Sequence, residues 1–323
     1  MNTDHKKTNY QLTIPEIHAN KRLDQALAKL MPDYSRTQIQ EWIATGSILV
    51  NGNLAKAKTK IKGGETVLIE ATVKSQPQWE AQAIPLHIVY EDATLIIINK
   101  SVGMVVHPGA GNADRTLLNA LLHHAPQLQS LPRAGIIHRL DKDTSGLLVI
   151  AKTLAALKSL SHQLKKRTLL REYQAIVYGT MISGGTINAP IDRHPLQRKR
   201  MAIVETGKNA ITHYRVAEKY RAHSRLKIRL ETGRTHQIRV HMAHIHHPII
   251  GDSVYGGRIQ LSKSMSPELI DVLKQFKRQA LHAFALGLIH PENNEFIRWE
   301  IDLPEDMKQL IHILRDDITR NNK

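Results

Sequence analysis

Hydrophobic and polar positions along the chain fall into short helical and strand periods. Leu23, Ala26, Leu27 and Leu30 stand at i, i+3, i+4 and i+7, one helical face, and Pro32 stops the run. Ser35 followed three residues later by Gln38 has the form of a capping box. It opens a second helix that turns Ile39, Trp42 and Ile43 inward and ends at Gly46. Ile48–Val50 reads as a strand, Asn51-Gly52 as a hairpin turn, and Thr66–Glu70 as a strand after Gly63-Gly64. Residues 1–10 are polar and read as a disordered lead-in, and residues 71–84 lack any apolar period and read as a linker. Beyond them, Leu86–Tyr90 and Leu95–Ile98 read as strands, and Leu117, Leu118, Leu121 and Leu122 mark a helix. Leu154, Leu157, Leu160 and Leu164 predict another helix, closed by Lys165-Lys166-Arg167, cations that suit its C-terminal dipole. Arg171–Gly179 alternates with Tyr173, Ala175 and Val177 on one face. Leu226, Ile228 and Leu230 alternate likewise, Leu281–Ile289 is strand-like, and Met307 through Ile318 form an amphipathic C-terminal helix.

One stretch breaks the pattern. Gly135-Ile136-Ile137 and Leu147–Ala151 are apolar runs of buried-strand type, and between them lies the polar knot His138-Arg139-Leu140-Asp141-Lys142-Asp143-Thr144-Ser145-Gly146. Asp141 therefore sits on a loop held against a rigid scaffold, with Arg139 two residues away. A carboxylate so placed serves as a nucleophile or base; the alternative is a loop whose Asp and Thr satisfy local backbone groups. Asp143 reads as a turn acid.

Composition adds a partner. The 323 residues suit about two domains, and 45 Lys+Arg against 29 Asp+Glu leave a net charge of +16. Such an excess points to a polyanion, nucleic acid before membrane. With 3 Phe and 3 Trp, a stacking platform of many aromatics is not expected. The chain has no Cys, which removes disulfides and thiolate–zinc sites. The polar first ten residues are not a secretory signal, and no run reaches the ~18 apolar residues of a membrane helix. A soluble, cytoplasmic protein is expected.

The positive charge is clustered. Lys56, Lys58, Lys60 and Lys62 alternate and share one side if that segment is extended. Arg193-His194-Pro195-Leu196-Gln197-Arg198-Lys199-Arg200 is a basic loop between strands. His107-Pro108-Gly109-Ala110-Gly111 is rich in small residues but lacks the Gly-Lys-Ser/Thr of a nucleotide loop. His236, His241, His244, His246 and His247 are crowded. However, His236 and His241 are five apart and no nearby carboxylate clearly completes a set, so hydrogen-bonding or RNA-facing histidines are expected and no metal.

Two helices and a basic hairpin, with Arg22-Leu23-Asp24, Ser35-Arg36 and Gly46 through Val50-Asn51-Gly52, resemble the S4 RNA-binding domain. Further on, His138-Arg139-Leu140-Asp141 with Thr144-Ser145-Gly146, Arg171-Glu172-Tyr173, and Gly233-Arg234-Thr235-His236-Gln237-Ile238-Arg239 resemble the RluA-type pseudouridine synthases. Arg193-His194-Pro195, His247-Pro248, Gly251-Asp252 and Tyr255-Gly256-Gly257 extend the likeness over nearly the whole chain. Lys100-Ser101 departs from the family's usual Lys-Pro.

The resemblance implies an α+β catalytic domain on a mixed, largely antiparallel sheet (residues 85–323), a linker at 76–84 and an S4-like RNA-binding domain at 11–75. It implies isomerisation of uridine to pseudouridine in 23S ribosomal RNA, free or in a pre-50S particle, with no cofactor. Asp141 matches the catalytic aspartate, Arg234 the arginine paired with it, Tyr173 the tyrosine that stacks on the base, and Arg139 an arginine that helps displace the base. Base displacement costs roughly a few kcal/mol, which phosphate contacts from Arg22, Arg36, Lys56, Lys58, Lys60, Arg193, His194, Arg198 and Arg200 would offset. The competing readings are a synthase acting on transfer RNA, a non-catalytic RNA-binding or assembly factor, and an aspartate-nucleophile hydrolase. The last leaves the charge unexplained.

Overall fold

The computed structural model describes residues 5–31, 34, 36–74, 79–109, 111–198, 200–259, 261 and 265–320. They form two compact units, one ending at Gln78 and one beginning at Trp79.

The first unit contains β1 (His5–Thr13), α1 (Leu23–Leu30), α2 (Arg36–Ala44), β2 (Ile48–Val50), β3 (Asn53–Leu54) and β4 (Thr66–Lys74). Its strands run in the order β1-β4-β2-β3. The predicted helical face is the one buried: Leu23, Ala26 and Leu27 meet Ile39, Trp42 and Ile43 over Ile48, Val67 and Ile69. The expected disordered lead-in is corrected for residues 5–10. His5–Thr13 pairs antiparallel with β4 along its whole length. Few apolar residues signal that strand, because an edge strand can be held by its backbone ladder more than by burial. The lysine segment is also corrected. Ala57-Lys58 makes a turn, so Lys56, Lys58 and Lys60 are exposed without sharing the face of a strand. Ser35, and with it the predicted capping box, lies outside the described residues.

The second unit contains β5 (Ile88–Glu91), β6 (Leu95–Lys100), α3 (Leu117–His124), β7 (Ser145–Ala151), α4 (Leu154–Lys166), β8 (Leu170–Tyr178) and β9 (Gly185–Asn188). It continues through β10 (Ile191–Arg193), β11 (Met201–Ile203), β12 (Ile211–Lys219), β13 (His223–Leu230), α5 (Gln237–His244), α6 (Pro267–Gln275), β14 (Leu281–Ile289), β15 (Phe296–Glu300) and α7 (Glu305–Arg320). Among the described residues, nine strands form one sheet in the order β5-β6-β7-β14-β8-β13-β12-β9, with β15 also on β14. Every pairing is antiparallel except β7 with β14. Residues 79–84 have no regular structure, but they do not hang free. Trp79 packs on the main core, and Gln82 N–H donates to Asn119 O at 3.0 Å.

The β7–β14 pair decides where the site lies. It lasts only from Ser145 to Gly146, after which β15 takes the same edge of β14. At Gly146 (φ +118°) a Cβ would lie 2.2 Å from Ala283 O, so only glycine fits the crossing. Where β7 leaves β14, the 136–138 segment joins it: Ile136 bridges Ile150, and Val149 N–H donates to His138 Nε2 at 3.2 Å. The polar knot is the loop between that segment and β7. Both its ends are therefore fixed by the sheet.

Candidate active site

The loop that carries Asp141 is clamped from several sides. Thr144 N–H donates to Asp141 O at 3.1 Å, closing a turn. Lys100, fully buried at the end of β6, donates to three carbonyls: Ser101 at 2.8 Å, Met104 at 3.0 Å and Lys142 at 2.9 Å. Burial pushes the Lys100 ammonium down to about 7, against the pull of Asp143 and Asp141. Gln279 Nε2 donates to Thr144 Oγ1 at 3.0 Å. His138 is an acceptor at Nε2, and burial, with Arg171 nearby, pushes its pKa down to about 3. It is thus a neutral part of the sheet edge.

Asp141 keeps 17% of its side-chain exposure, so it is reachable but largely enclosed. Arg239 Nη1 donates to its Oδ2 at 3.0 Å. The same guanidinium forks onto Asp252, Nε to Oδ2 at 2.7 Å and Nη2 to Oδ1 at 2.9 Å. Asp252 is fully buried and also accepts from Val254 N–H at 2.9 Å and Tyr255 N–H at 3.0 Å. Burial alone would disfavour Arg239's charge, but Asp252 and Asp141 outweigh it and raise its pKa. Burial likewise opposes ionisation of Asp252, and Arg239 with the two N–H donors overturns that. A fixed cation is therefore aimed at one oxygen of Asp141 by a second, buried carboxylate. On the other side, His236 Nε2 lies 3.9 Å from Asp141 Oδ1.

The residue expected opposite Asp141 was Arg234, and this is corrected. Arg234 is partly exposed, and its Nε donates to Asn209 O at 3.0 Å. The reason is the helix register. Thr232 Oγ1 and Arg234 N–H both bond Gln237 Oε1, at 2.8 and 3.0 Å, so α5 begins only at Gln237. Arg234 precedes it, while Arg239 lies in its first turn on the buried side. Local spacing gave no signal for this choice, because Arg239 is fixed by Asp252, thirteen positions further along the chain.

Tyr173 is 5% exposed on β8 and belongs to the main core. Burial raises its phenol's pKa, with the charge of Arg171 opposing and that of Asp141 adding to the rise. Arg171, two residues before it on the same face, is buried and reaches Glu231 O at 3.3 Å, under the turn that leads to α5. Arg139 is exposed. The histidines near α5 have separate partners: His241 bonds Thr212 Oγ1 at 2.8 Å and Ala189 O at 3.0 Å, and His247 bonds Tyr178 O at 2.8 Å. No cluster of three metal-ligating side chains occurs among the described residues.

The RNA-binding candidates fall in two places. Arg22 and Arg36 both converge on Asp24, fully buried, at 3.0 and 2.8 Å, yet each stays over 40% exposed. The other group is the β10–β11 hairpin. There Arg193 and Arg198 are exposed, and His194 Nδ1 accepts from Leu196 and Gln197 N–H at 3.2 and 3.1 Å. Arg200 Nη1 donates to Gln197 Oε1 at 3.1 Å.

Residues 94–244 match the RNA pseudouridylate synthase family model, and residues 21–67 match the S4 domain. The ribosomal large subunit pseudouridine synthase D of Salmonella typhimurium is 54% identical over 306 residues, 94% of each chain. The protein of that description from Vibrio cholerae is 50% identical over 310 residues, 96% of each chain.

The chain belongs to the RNA pseudouridine synthase family.

A solved structure, human RNA pseudouridylate synthase domain containing 4, matches with a TM-score of 0.56 and 26% identity, over 71% of this chain and 93% of that one. The pseudouridine synthase match spans β6 through α5, the segment that carries Asp141, Tyr173 and Arg239. The fold is α+β, as read from the sequence. Among the described residues, no helix is long and apolar enough to cross a membrane.

Proposed function

We propose that this chain isomerises uridines to pseudouridine in large-subunit ribosomal RNA, in the cytoplasm, with Asp141 as the reacting carboxylate. The observation that carries the reading is the Asp141–Arg239–Asp252 chain, in a family member that also has an S4 domain. The reaction breaks the bond from uracil N1 to ribose C1′, turns the base, and joins C5 to C1′. The C5 proton is lost and N1 gains one, so no donor, oxidant or cofactor enters the balance. What the protein must supply is a negative group at the nucleotide and a dry, shaped pocket. Arg239 pairs with the carboxylate and fixes one oxygen, leaving the other to face the substrate.

The target base must leave its stack before C1′ and C5 can be reached. The exposed Arg139 borders Asp141 and takes the role of displacing it. Tyr173 flanks the site as the stacking surface. Phosphate contacts from Arg22, Arg36 and the lysines of the first unit, and from Arg193, Arg198 and Arg200, supply the sequence-independent part of affinity.

The test is a pseudouridine map of ribosomal and transfer RNA from cells with and without this gene. Loss of specific pseudouridines in 23S ribosomal RNA, restored by the wild-type gene, is the expected result. Losses confined to transfer RNA would replace the substrate assignment, and no loss anywhere would overturn the reading.

A further inference from the structure

The hydroxyl of Tyr255 stands between the basic hairpin and the reacting carboxylate. Met201 N–H, the first residue of β11, donates to Tyr255 Oη at 2.9 Å. Tyr255 Oη and His236 Nδ1 lie 2.8 Å apart. Either atom of this pair can be the donor; the relay takes the form in which the phenol donates to His236 Nδ1. A neutral imidazole then carries its hydrogen on Nε2, which faces Asp141 Oδ1 at 3.9 Å. The other oxygen of Asp141 is taken by Arg239. The Tyr255 ring also lies near both arginines, 5.0 Å from the Arg239 guanidinium carbon and 5.2 Å from that of Arg200, and meets His236 edge-on at 5.6 Å. Its backbone N–H reaches Asp252.

We propose that Tyr255 and His236 form a positioning relay that fixes the reacting face of Asp141 and ties its placement to the β10–β11 hairpin. The proposal rests on the reading of Asp141 as the reacting group. Two further observations support it. His236 is held at φ 56° and ψ 21°, a left-handed conformation uncommon outside glycine, at the position just before α5. The groups facing His236 are Tyr255, Asp141, Asp252, Arg239 and Arg139. Burial lowers its pKa, Arg239 and Arg139 act in the same sense, and Asp141 and Asp252 oppose them. The surroundings thus disfavour the charged ring, the sense that the relay requires. Neither residue needs to touch substrate: each acts through the carboxylate. The consequence is that disturbing the relay slows the chemical step while leaving RNA capture alone.

Tyr255→Phe removes the hydroxyl and keeps the ring against both arginines. His236→Asn removes the group facing Asp141 and keeps a residue that tolerates positive φ. Single-turnover rates and RNA affinity of the full-length variants are measured on a 23S ribosomal RNA fragment. Each single variant is expected to react about tenfold slower, with affinity within about twofold of wild type, because each removes the Tyr255–His236 hydrogen bond that holds the ring beside Asp141. The double variant is expected to be no slower than the slower single one, because both break one chain. Wild-type rates in both variants, parallel losses of affinity and rate, or multiplied losses in the double variant would each overturn the relay. Asp141→Asn runs alongside. If it is inactive and both relay variants are normal, the relay alone fails; if it is active, the assignment of Asp141 fails.

Discussion

Arg239→Lys keeps the charge and removes the fork, which separates geometry from electrostatics. Arg239 makes three charged hydrogen bonds, at 2.7 and 2.9 Å to Asp252 and 3.0 Å to Asp141. A lysine ammonium is a single point and cannot span two carboxylates in that arrangement. Asp252, fully buried, has the stronger claim on it, so the bond to Asp141 is the one lost. A hydrogen bond to a charged group is worth about 1.5–3 kcal/mol, and each 1.36 kcal/mol is tenfold in rate. The chemical step should therefore slow by about 10- to 150-fold. Arg239→Gln goes further: it leaves Asp252 as a buried charge with no cation, at a stability cost of roughly 3–5 kcal/mol. The rate assay is release of tritium from C5-labelled uridine under single-turnover conditions, and urea unfolding gives the stability. Arg234→Lys serves as the comparison, expected within about threefold of wild type because Arg234 bonds a backbone carbonyl outside this network. A full rate in Arg239→Lys, or a larger loss in Arg234→Lys, would refute the reasoning.

Asp24→Asn adds one unit of positive charge to the first unit. A count of charges alone predicts tighter RNA binding. The structure predicts the opposite, about two- to tenfold weaker with a shallower salt dependence, because Arg22 and Arg36 are both aimed by that carboxylate; affinity measured across a salt series decides. Acid should destabilise the second unit through His223 and His282, buried residues whose pKa values burial holds at about 4. Unfolded, they take protons near 6.5 and, folded, only near 4, so the stability they contribute is complete above 6.5 and is lost as pH falls from 6.5 toward 4. The slope is up to about 1.4 kcal/mol per pH unit for each. Urea midpoints between pH 7.5 and 4.5 should show it, with a smaller slope in His282→Gln.

Much of the fold was legible because its elements carry regular periods. The leucines from Leu154 to Leu164 and the alternation through Tyr173 place α4 and β8 almost residue for residue. β1 was missed because backbone pairing holds it where its side chains give little pattern. The lysines from Lys56 to Lys60 alternate in sequence, but a turn at Ala57-Lys58 removes the extended geometry that alternation assumes. At the site, Asp141 stood out as a polar group inside an apolar frame. Its partner did not, since Arg234 and Arg239 belong to one motif and only the start of α5 decides which turns inward. Asp252, Tyr255 and Lys100 act across distances in sequence that no local spacing reveals.

Asp141→Asn tests the central claim most directly. The substitution keeps the side chain's shape and leaves the Arg239–Asp252 fork in place, so urea stability and RNA affinity are expected to match wild type. Tritium release from C5-labelled uridine in a 23S ribosomal RNA fragment should fall to background. Release within about tenfold of the wild-type rate, roughly 1.4 kcal/mol of barrier, would contradict the assignment of the chemistry to that carboxylate.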